Sequence, residues 1–161
     1  MDIVKFSKKD QKETSKFMDK IWDEMGEIDE GWKKKPKDGF SHLDKFFHMP
    51  TEGFLLLIKD KGKIIGTGGC VKLNSTDALL KRFYIDKTYR GTGIAGDLLT
   101  AIVSATKELE LSRIVIDVSK DNVRAIRFYE KNGFVKYDQS PDEKWRESKF
   151  PDVFDYFFLS I

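Results

Sequence analysis

The amino-acid sequence predicts an α/β or α+β fold built around a mixed β-sheet. Two apolar segments separated by a polar turn predict a hairpin, which places antiparallel strands in the first half of the chain. Alternating strand-like and helix-like segments follow, a pattern typical of crossover connections between parallel strands. The 161 residues are enough for one domain, and we expect residues 1–161 to form a single domain.

The first elements are a short strand over residues 3–6 and a long amphipathic helix that runs to about Met25. Ser7 is the expected N-cap, and Gly26 stands where a helix-ending glycine belongs. Apolar side chains recur at three- and four-residue spacing along this helix: Phe17, Met18, Ile21, Trp22 and Met25. We interpret the stripe as core packing.

A polar loop and a short helix are predicted next. Residues 27–39 contain three consecutive lysines and a proline, a composition typical of a solvated loop. Ser41 and Asp44 form a capping pair for a short helix that ends before Pro50.

The central segment predicts three strands and a helix. The first two strands cover residues 53–58 and 63–73, and a polar turn over residues 60–62 joins them. A third strand covers residues 78–85. A helix over residues 94–109 follows, because its apolar side chains share one face: Leu98, Leu99, Ile102, Val103 and Ala105.

The last third of the chain predicts a further alternation of strands and helices. A β-branched strand covers residues 113–118, and a short helix over residues 122–131 stops at Gly133. Strands then follow over residues 134–137 and 153–160, separated by a loop over residues 140–151. The last strand is apolar and offers an edge at which two copies could pair as a homodimer.

Composition excludes several classes of protein. Lys and Arg total 29 against 27 Asp and Glu, a net charge of +2 that is spread evenly, so we expect no nucleic-acid partner. The charged N-terminus and the lack of an apolar run of about 20 residues predict neither a signal peptide nor a membrane span. Cys70 is the only cysteine, which suits a reducing compartment and predicts a cytoplasmic protein.

The metal-ligating residue types do not form a recognisable motif. A lone Cys70 cannot form a disulfide or a cysteine-based zinc site within the chain. His42 and His48 are six residues apart, unlike the three- or four-residue spacing that places two ligands on one helix face. We therefore expect no metal.

A glycine-rich stretch over residues 89–96 carries the strongest chemical signal. It follows a predicted strand and opens a predicted helix, where glycines let the backbone turn sharply and approach a bulky group. The first N–H groups of a helix have no intrahelical partner, and the helix dipole adds partial positive charge. Arg90 adds a fixed charge, so the stretch predicts a pyrophosphate site.

Two pyrophosphate-bearing cofactors fit such a site. Gly91, Gly93 and Gly96 match the G-x-G-x-x-G fingerprint of nicotinamide cofactors, and Asp117 stands about 20 residues further on, where a ribose-binding acid would stand. The glycines alone do not choose between the two. Residues 86–90 separate the strand from the first glycine, however, and Lys81 and Arg82 interrupt that strand. Both features disfavour a dinucleotide-binding unit.

Two ordered blocks resemble the GCN5-related N-acetyltransferase (GNAT) superfamily. Residues 90–95, Arg-Gly-Thr-Gly-Ile-Ala, fit the acetyl-CoA loop pattern Arg/Gln-x-x-Gly-x-Gly/Ala of that family. Residues 122–134, Asn-Val-Arg-Ala-Ile-Arg-Phe-Tyr-Glu-Lys-Asn-Gly-Phe, look like its Asn-x-x-Ala-x-x-Phe-Tyr-x-x-x-Gly-Phe segment. The resemblance covers residues 78–138 and implies the acyl-CoA N-acyltransferase fold, a splayed mixed sheet with acetyl-CoA between the strand at 78–85 and the strand at 113–118.

The resemblance also implies roles for individual residues. Backbone groups of Phe83, Tyr84 and Ile85 would pair with the pantetheine arm, as an added strand does. Asn122 would contact the cofactor arm, and Tyr129 would stand near the sulfur as general acid. The main-chain N–H groups expected to hold the pyrophosphate are those of Arg90, Gly91, Thr92, Gly93, Ile94, Ala95 and Gly96.

The chemistry explains these residue types. A free amine attacks the thioester carbonyl, a backbone N–H stabilises the charge that develops on the oxygen, and the departing thiolate needs a proton. A phenol such as Tyr129 can supply that proton because its reference pKa of about 10 keeps it protonated at neutral pH. Asp77, just before the cofactor strand, is one candidate base, and Asp117 with a water chain is another.

These features lead to three hypotheses of function. The first is an acetyl-CoA-dependent N-acetyltransferase that acts directly on a primary amine of a small molecule or a peptide. The second is a non-catalytic module that senses acetyl-CoA, and the third is a nicotinamide-dependent enzyme. By resemblance, residues 22–50 would help to line the acceptor site.

Overall fold

Helices cover both faces of one mixed β-sheet in the computed structural model, which describes residues 1–28, 40–138 and 141–161. The strands are β1 (Asp2–Lys5), β2 (Gly53–Asp60), β3 (Lys63–Lys72), β4 (Asp77–Ile85), β5 (Arg113–Ser119), β6 (Val135–Lys136) and β7 (Phe154–Ser160). The helices are α1 (Gln11–Ile28), α2 (Leu43–Phe46), α3 (Ile94–Glu108) and α4 (Val123–Lys131), with 3₁₀ turns at Lys8–Asp10, Lys87–Tyr89 and Arg146–Lys149.

The sheet has the order β1-β2-β3-β4-β5-β7-β6 within the described ranges. β4 and β5 run parallel, and the other neighbouring strands run antiparallel. This arrangement confirms the predicted mixed sheet. It also differs from a doubly wound dinucleotide-binding sheet, in which the strand before the glycine loop lies among parallel neighbours.

Alternation along β2 divides the core between the two faces of the sheet. Leu56 faces the cluster that α3 and α4 cover, whereas Leu55 and Leu57 face the cluster beneath α1 and α2. The period of two follows from the pleat of a strand. A third, smaller cluster lies around Trp145, where the segment before β7 packs on β4 and β5.

Helix ends differ from the predictions in two places. α1 continues past Gly26, which is buried in its last turn and does not end the helix. The predicted Ser41 cap is wrong, because α2 begins after His42, and the N–H of Leu43 donates to the side-chain oxygen of Gln11 at 3.1 Å instead. Most of the predicted loop at residues 27–39 lies outside the described residues.

The N-terminus of the first helical segment carries the expected cap. The backbone N–H of Ser7 donates to the Asp10 carboxylate at 3.1 Å, and the N–H of Asp10 donates to the Ser7 carbonyl at 2.8 Å. This reciprocal pair starts the 3₁₀ turn that leads into α1.

The final strand lies inside the sheet. β7 pairs with β5 along its whole length and with β6 at Phe157 and Phe158. The edge of β7 away from β5 is therefore occupied at those two positions, and homodimer pairing along the rest of that edge stays a prediction.

A bulge interrupts β4 opposite β3. Thr67 pairs with Tyr84 and Gly69 pairs with Lys81, so β4 holds one more residue than β3 between these pairs. Arg82 takes up the difference with a φ of 55°, a left-handed conformation that is uncommon for residues other than glycine. The hydroxyl of Thr67 donates to the Arg82 carbonyl at 2.9 Å and so secures the bulge.

β4 and β5 separate soon after they meet. In the described part of the chain they pair through Asp77, Ala78 and Leu79 of β4. Beyond Leu79, β4 continues to Ile85 without pairing to β5, while β5 stays paired with β7. The sheet is therefore splayed, as predicted, and the splay presents strand backbone on its inner side.

Candidate active site

A cavity of about 260 Å³ lies where α1, the end of β4, the start of α3 and α4 meet. Its lining is mainly apolar, and two arginines and an asparagine supply polar groups. The residues that line it are Ile21, Met25, Phe83, Tyr84, Ile85, Arg90, Gly91, Ala95, Asn122, Arg124, Ala125, Phe128 and Tyr129. An apolar cavity with few convergent polar groups is the usual form of a small-molecule site.

The glycine-rich turn between β4 and α3 forms one end of the cavity. Gly91 and Gly93 have φ values of 80° and 95°, which other residues adopt only with strain. α3 begins directly after Gly93, so its first N–H groups point out of the helix at this turn. The turn therefore provides backbone donors and the positive end of a 15-residue helix.

Arg90 is fixed by two contacts. Its Nε donates to the Ile85 carbonyl at 3.0 Å, and its Nη2 lies 3.4 Å from a carboxylate oxygen of Glu24 on α1. These contacts hold a guanidinium at the end of β4, beside the glycine turn.

Asn122 and Tyr129 project from α4 into the cavity wall. The Asn122 side-chain oxygen accepts a hydrogen bond from the Ala125 N–H at 3.2 Å and caps α4. This bond leaves the amide nitrogen of Asn122 to serve as a donor.

Tyr129 is 4% exposed although it lines the cavity. Its ring packs edge-on against Phe83, Phe128 and Phe134, with centroids 5.1–6.1 Å away. Burial raises the pKa of its phenol far above the ordinary value, and the negative charge of Asp117 raises it further. The phenol is therefore protonated at neutral pH, as a general acid must be.

Asp117 projects from β5 next to the point where β4 and β5 separate. One of its oxygens accepts from the Trp145 indole N–H at 2.8 Å and lies 3.4 Å from the Lys81 ammonium. The same ammonium lies 3.0 Å from Glu147. These contacts fix the Asp117 carboxylate on the part of β5 that has separated from β4. Asp117 itself is not among the residues that line the cavity.

Asp77 does not reach the cavity. Its carboxylate forms a two-point ion pair with Arg113, at 2.8 and 2.9 Å, and its side chain is 2% exposed. Burial raises the pKa of Asp77, but hydrogen bonds from Arg113, Asn74 and Thr76 outweigh burial and lower it. A carboxylate held by this many donors is a poor proton acceptor, which counts against Asp77 as one of the two candidate bases.

The structure brings eight of the predicted cofactor residues to the cavity: Phe83, Tyr84, Ile85, Arg90, Gly91, Ala95, Asn122 and Tyr129. Thr92, Gly93, Ile94 and Gly96 belong to the same turn and helix start but are not among the lining residues.

Sequence reasoning missed part of the lining. Ile21 and Met25 were assigned to the core because they continue the apolar stripe of α1, yet their end of the stripe faces the cavity. Arg124 and Phe128 lie within the second sequence block but received no role. The four-residue spacing of Arg124 from Phe128 places them on one helix face and was the available signal.

Two negative findings concern the described residues. Among them, no group of three His, Cys, Asp or Glu side chains could hold a metal ion. None of their helices combines the length and apolar character that crossing a bilayer requires.

The splayed mixed sheet, the bulged strand and the glycine turn at a helix start together define an acyl-CoA N-acyltransferase fold. Residues 16–134 match the family model described as "Acetyltransferase (GNAT) family". The match covers most of the chain, and the chain belongs to the GNAT family of acetyltransferases. This membership disfavours the nicotinamide alternative.

Named relatives and a solved structure agree with this assignment. An uncharacterised N-acetyltransferase of Mycobacterium tuberculosis is 30% identical over 80 residues, which are 50% of this chain and 51% of the relative. The spermine/spermidine N(1)-acetyltransferase of Bacillus subtilis is 38% identical over 56 residues, which are 34% and 37% of the two chains. The matches thus span about half or less of these relatives.

The PaiA N-acetyltransferase of Thermoplasma acidophilum, solved in complex with coenzyme A, shares the fold with a TM-score of 0.77. The similarity covers 99% of this chain and 98% of that one at 16% sequence identity.

Proposed function

We propose that the protein is an acetyl-CoA-dependent N-acetyltransferase that transfers the acetyl group directly to a primary amine. One observation carries the proposal. β4 separates from β5 beyond Leu79, and the end of β4 that no longer pairs with β5 borders a cavity that ends at the glycine turn. An extended thioester with an anionic end matches both features.

The cofactor would lie along β4 with its diphosphate at the helix start. Backbone groups of Phe83, Tyr84 and Ile85 would bind the pantetheine amides as a neighbouring strand would. Arg90 and the N–H groups from Gly91 to Gly96 would hold the diphosphate. Asn122 would contact the cofactor arm through its free amide nitrogen.

Transfer requires one proton to leave the nucleophile and one to reach the leaving group. The amine nitrogen attacks the thioester carbonyl carbon, and a backbone N–H of β4 stabilises the negative charge on the carbonyl oxygen. When the carbon–sulfur bond breaks, Tyr129 donates its phenolic proton to the thiolate. Asp117 accepts the proton of the attacking amine through a water chain and so takes the place first considered for Asp77.

One observation supports a cationic acceptor. The Bacillus subtilis relative is named for polyamine acetylation. We therefore place polyamines first among the acceptors to be tested, followed by amino acids, aminoglycosides and peptides with free N-termini.

The test is release of free thiol from acetyl-CoA in the presence of this panel of amines. We expect release that depends on one class of amine, with mass spectrometry showing an acetylated product. Thermal stabilisation by acetyl-CoA without thiol release from any amine would contradict the proposal and favour the sensing module.

A further inference from the structure

Three charged side chains from three different elements meet at the end of the cavity where the diphosphate would lie. Glu24 comes from α1, Arg90 precedes the glycine turn, and Arg124 comes from the first turn of α4. Arg90 and Arg124 both line the cavity. The two arginines therefore face the same space from different walls.

Glu24 is held only loosely by Arg90. Its side chain is 17% exposed, and its contact with Arg90 is 3.4 Å, longer than the 2.7–2.9 Å of a strong charge-assisted hydrogen bond. Its other oxygen, Oε1, is buried and has no hydrogen-bond partner among the described residues. A buried carboxylate oxygen without a donor is costly, so this carboxylate gains little from its position.

Both Arg90 and Glu24 affect the pKa of Arg124. Burial lowers the pKa of its guanidinium, Arg90 lowers it further, and Glu24 raises it. These effects agree with the geometry, because two like charges face one cavity and a single carboxylate offsets their repulsion only in part.

We propose that Arg124 binds the cofactor diphosphate together with Arg90, and that Glu24 is the internal anion that the diphosphate displaces. The inference rests on the cofactor assignment of the proposed function. A diphosphate offers two anionic groups to two guanidiniums, whereas Glu24 offers one, so the exchange improves the charge balance.

Displacement of Glu24 need not move α1. One helical turn earlier, the Lys20 ammonium lies 2.7 Å from the buried carboxylate of Asp86 and holds α1 on the connection between β4 and α3. The Glu24 side chain can therefore turn away from Arg90 while the helix that carries it keeps its place.

The test compares two variants with opposite expected effects, by titration calorimetry of the full chain with coenzyme A. Glu24→Gln should tighten binding by roughly tenfold, and Arg124→Gln should weaken it by a similar factor. Pantetheine, which lacks the diphosphate, should bind both variants as it binds the original chain.

Matched controls lie on the same helices. Glu27→Gln removes an exposed carboxylate of α1, and Arg127→Gln removes an exposed guanidinium of α4, so neither should change the affinity for coenzyme A beyond twofold. Melting without ligand checks that each variant folds. Should Arg124→Gln fail to fold, Glu24→Gln decides alone.

Unchanged or weaker coenzyme A binding in Glu24→Gln would overturn the role of Glu24. An Arg124→Gln affinity equal to that of Arg127→Gln would overturn the role of Arg124. If coenzyme A binds as expected but no amine is acetylated, the proposed enzymatic function fails while this inference stands. If coenzyme A binds neither the original chain nor Glu24→Gln, both fail.

Discussion

Tyr129 is buried and still lines the cavity. Three aromatic rings fix the plane of its ring, and its phenol remains protonated because burial and the charge of Asp117 oppose ionisation. The residue is therefore suited to give a proton and to regain it once the product has left.

Tyr129→Phe should lower kcat by about 10²–10⁴-fold, the usual range for loss of a general acid, and leave the affinity for acetyl-CoA unchanged. The ring contacts remain, so melting should shift little. Steady-state kinetics and calorimetry measure the two effects. Tyr89→Phe, which removes a hydroxyl bonded to Asp60 outside the cavity, is the control. Full activity in Tyr129→Phe would remove this residue from the acid role.

Asp117 and Asp77 provide a paired test of the proton acceptor. Asp117→Asn should reduce kcat by about 10²-fold or more. Asp77→Asn should largely keep kcat and instead lower stability, because it breaks the two-point pair with Arg113. The reverse pattern would return the base role to Asp77.

At the scale of elements, α1 and the bulge of β4 fix the walls of the cavity. α1 is tied to the connection after β4 through Lys20 and Asp86, and the bulge is tied to β3 through Thr67. Each tie is a single buried or half-buried polar contact between elements that are distant in sequence, so each can be removed without disturbing the core.

The tie of α1 should make stability depend on pH in the acid range. Burial raises the pKa of Asp86, but bonds from Lys20 and Thr88 outweigh it and lower the pKa to about 2. Because the folded pKa lies below the unfolded value near 3.8, this contribution is complete above pH 3.8 and is lost as pH falls towards 2.

Lys20→Met should therefore cost about 1–3 kcal/mol of unfolding free energy at neutral pH. The difference from the original chain should shrink between pH 3.8 and 2. Urea unfolding at a series of pH values measures this, and Lys16→Met, one turn earlier and exposed, is the control. A difference that persisted at pH 2 would show that Asp86 is not the partner involved.

Thr67→Val should cost about 1–3 kcal/mol, because it leaves the carbonyl of Arg82 without its buried donor. Catalysis should fall as well, since the bulge sets the course of β4 along the cavity. Thr106→Val removes an equally buried hydroxyl that donates to a carbonyl of its own helix and also contacts the Cys70 thiol, away from the bulge, so it should cost less. Equal losses in the two variants would argue that burial of the hydroxyl matters and the bulge does not.

The local elements could be predicted from the sequence, and the contacts between distant elements could not. The glycine turn and α4 follow from residues close together in the chain, where caps and apolar spacing act directly. Ile21 and Met25 reach the cavity only because α1 packs across the end of β4, and nothing local signals that packing. The ion pair of Asp77 has no local signal either, because its partner, Arg113, is 36 residues away.

At the scale of the whole molecule, the cofactor would lie where β4 and β5 have separated, so it would connect two parts of the sheet that pair only through Asp77, Ala78 and Leu79 of β4. Ligands that bind the folded state alone stabilise it by mass action, about 2.7 kcal/mol at a hundredfold excess over Kd. Coenzyme A at that excess should raise Tm by roughly 5–10 °C for a chain of this size. NAD at equal concentration should not, and a larger shift with NAD would reverse the choice between the two cofactors.

The gap between β4 and β5 also determines which molecules can form hydrogen bonds with the β4 backbone beyond Leu79, where β5 no longer pairs with it. An open strand edge on the outside of a sheet invites other chains to add to it and aggregate. Here the edge borders a cavity of about 260 Å³ whose other walls are side chains of α1, α3 and α4. A further protein strand carries side chains on both of its faces and would meet these walls, whereas an unbranched molecule would not, so the same gap that admits a ligand discourages aggregation through β4.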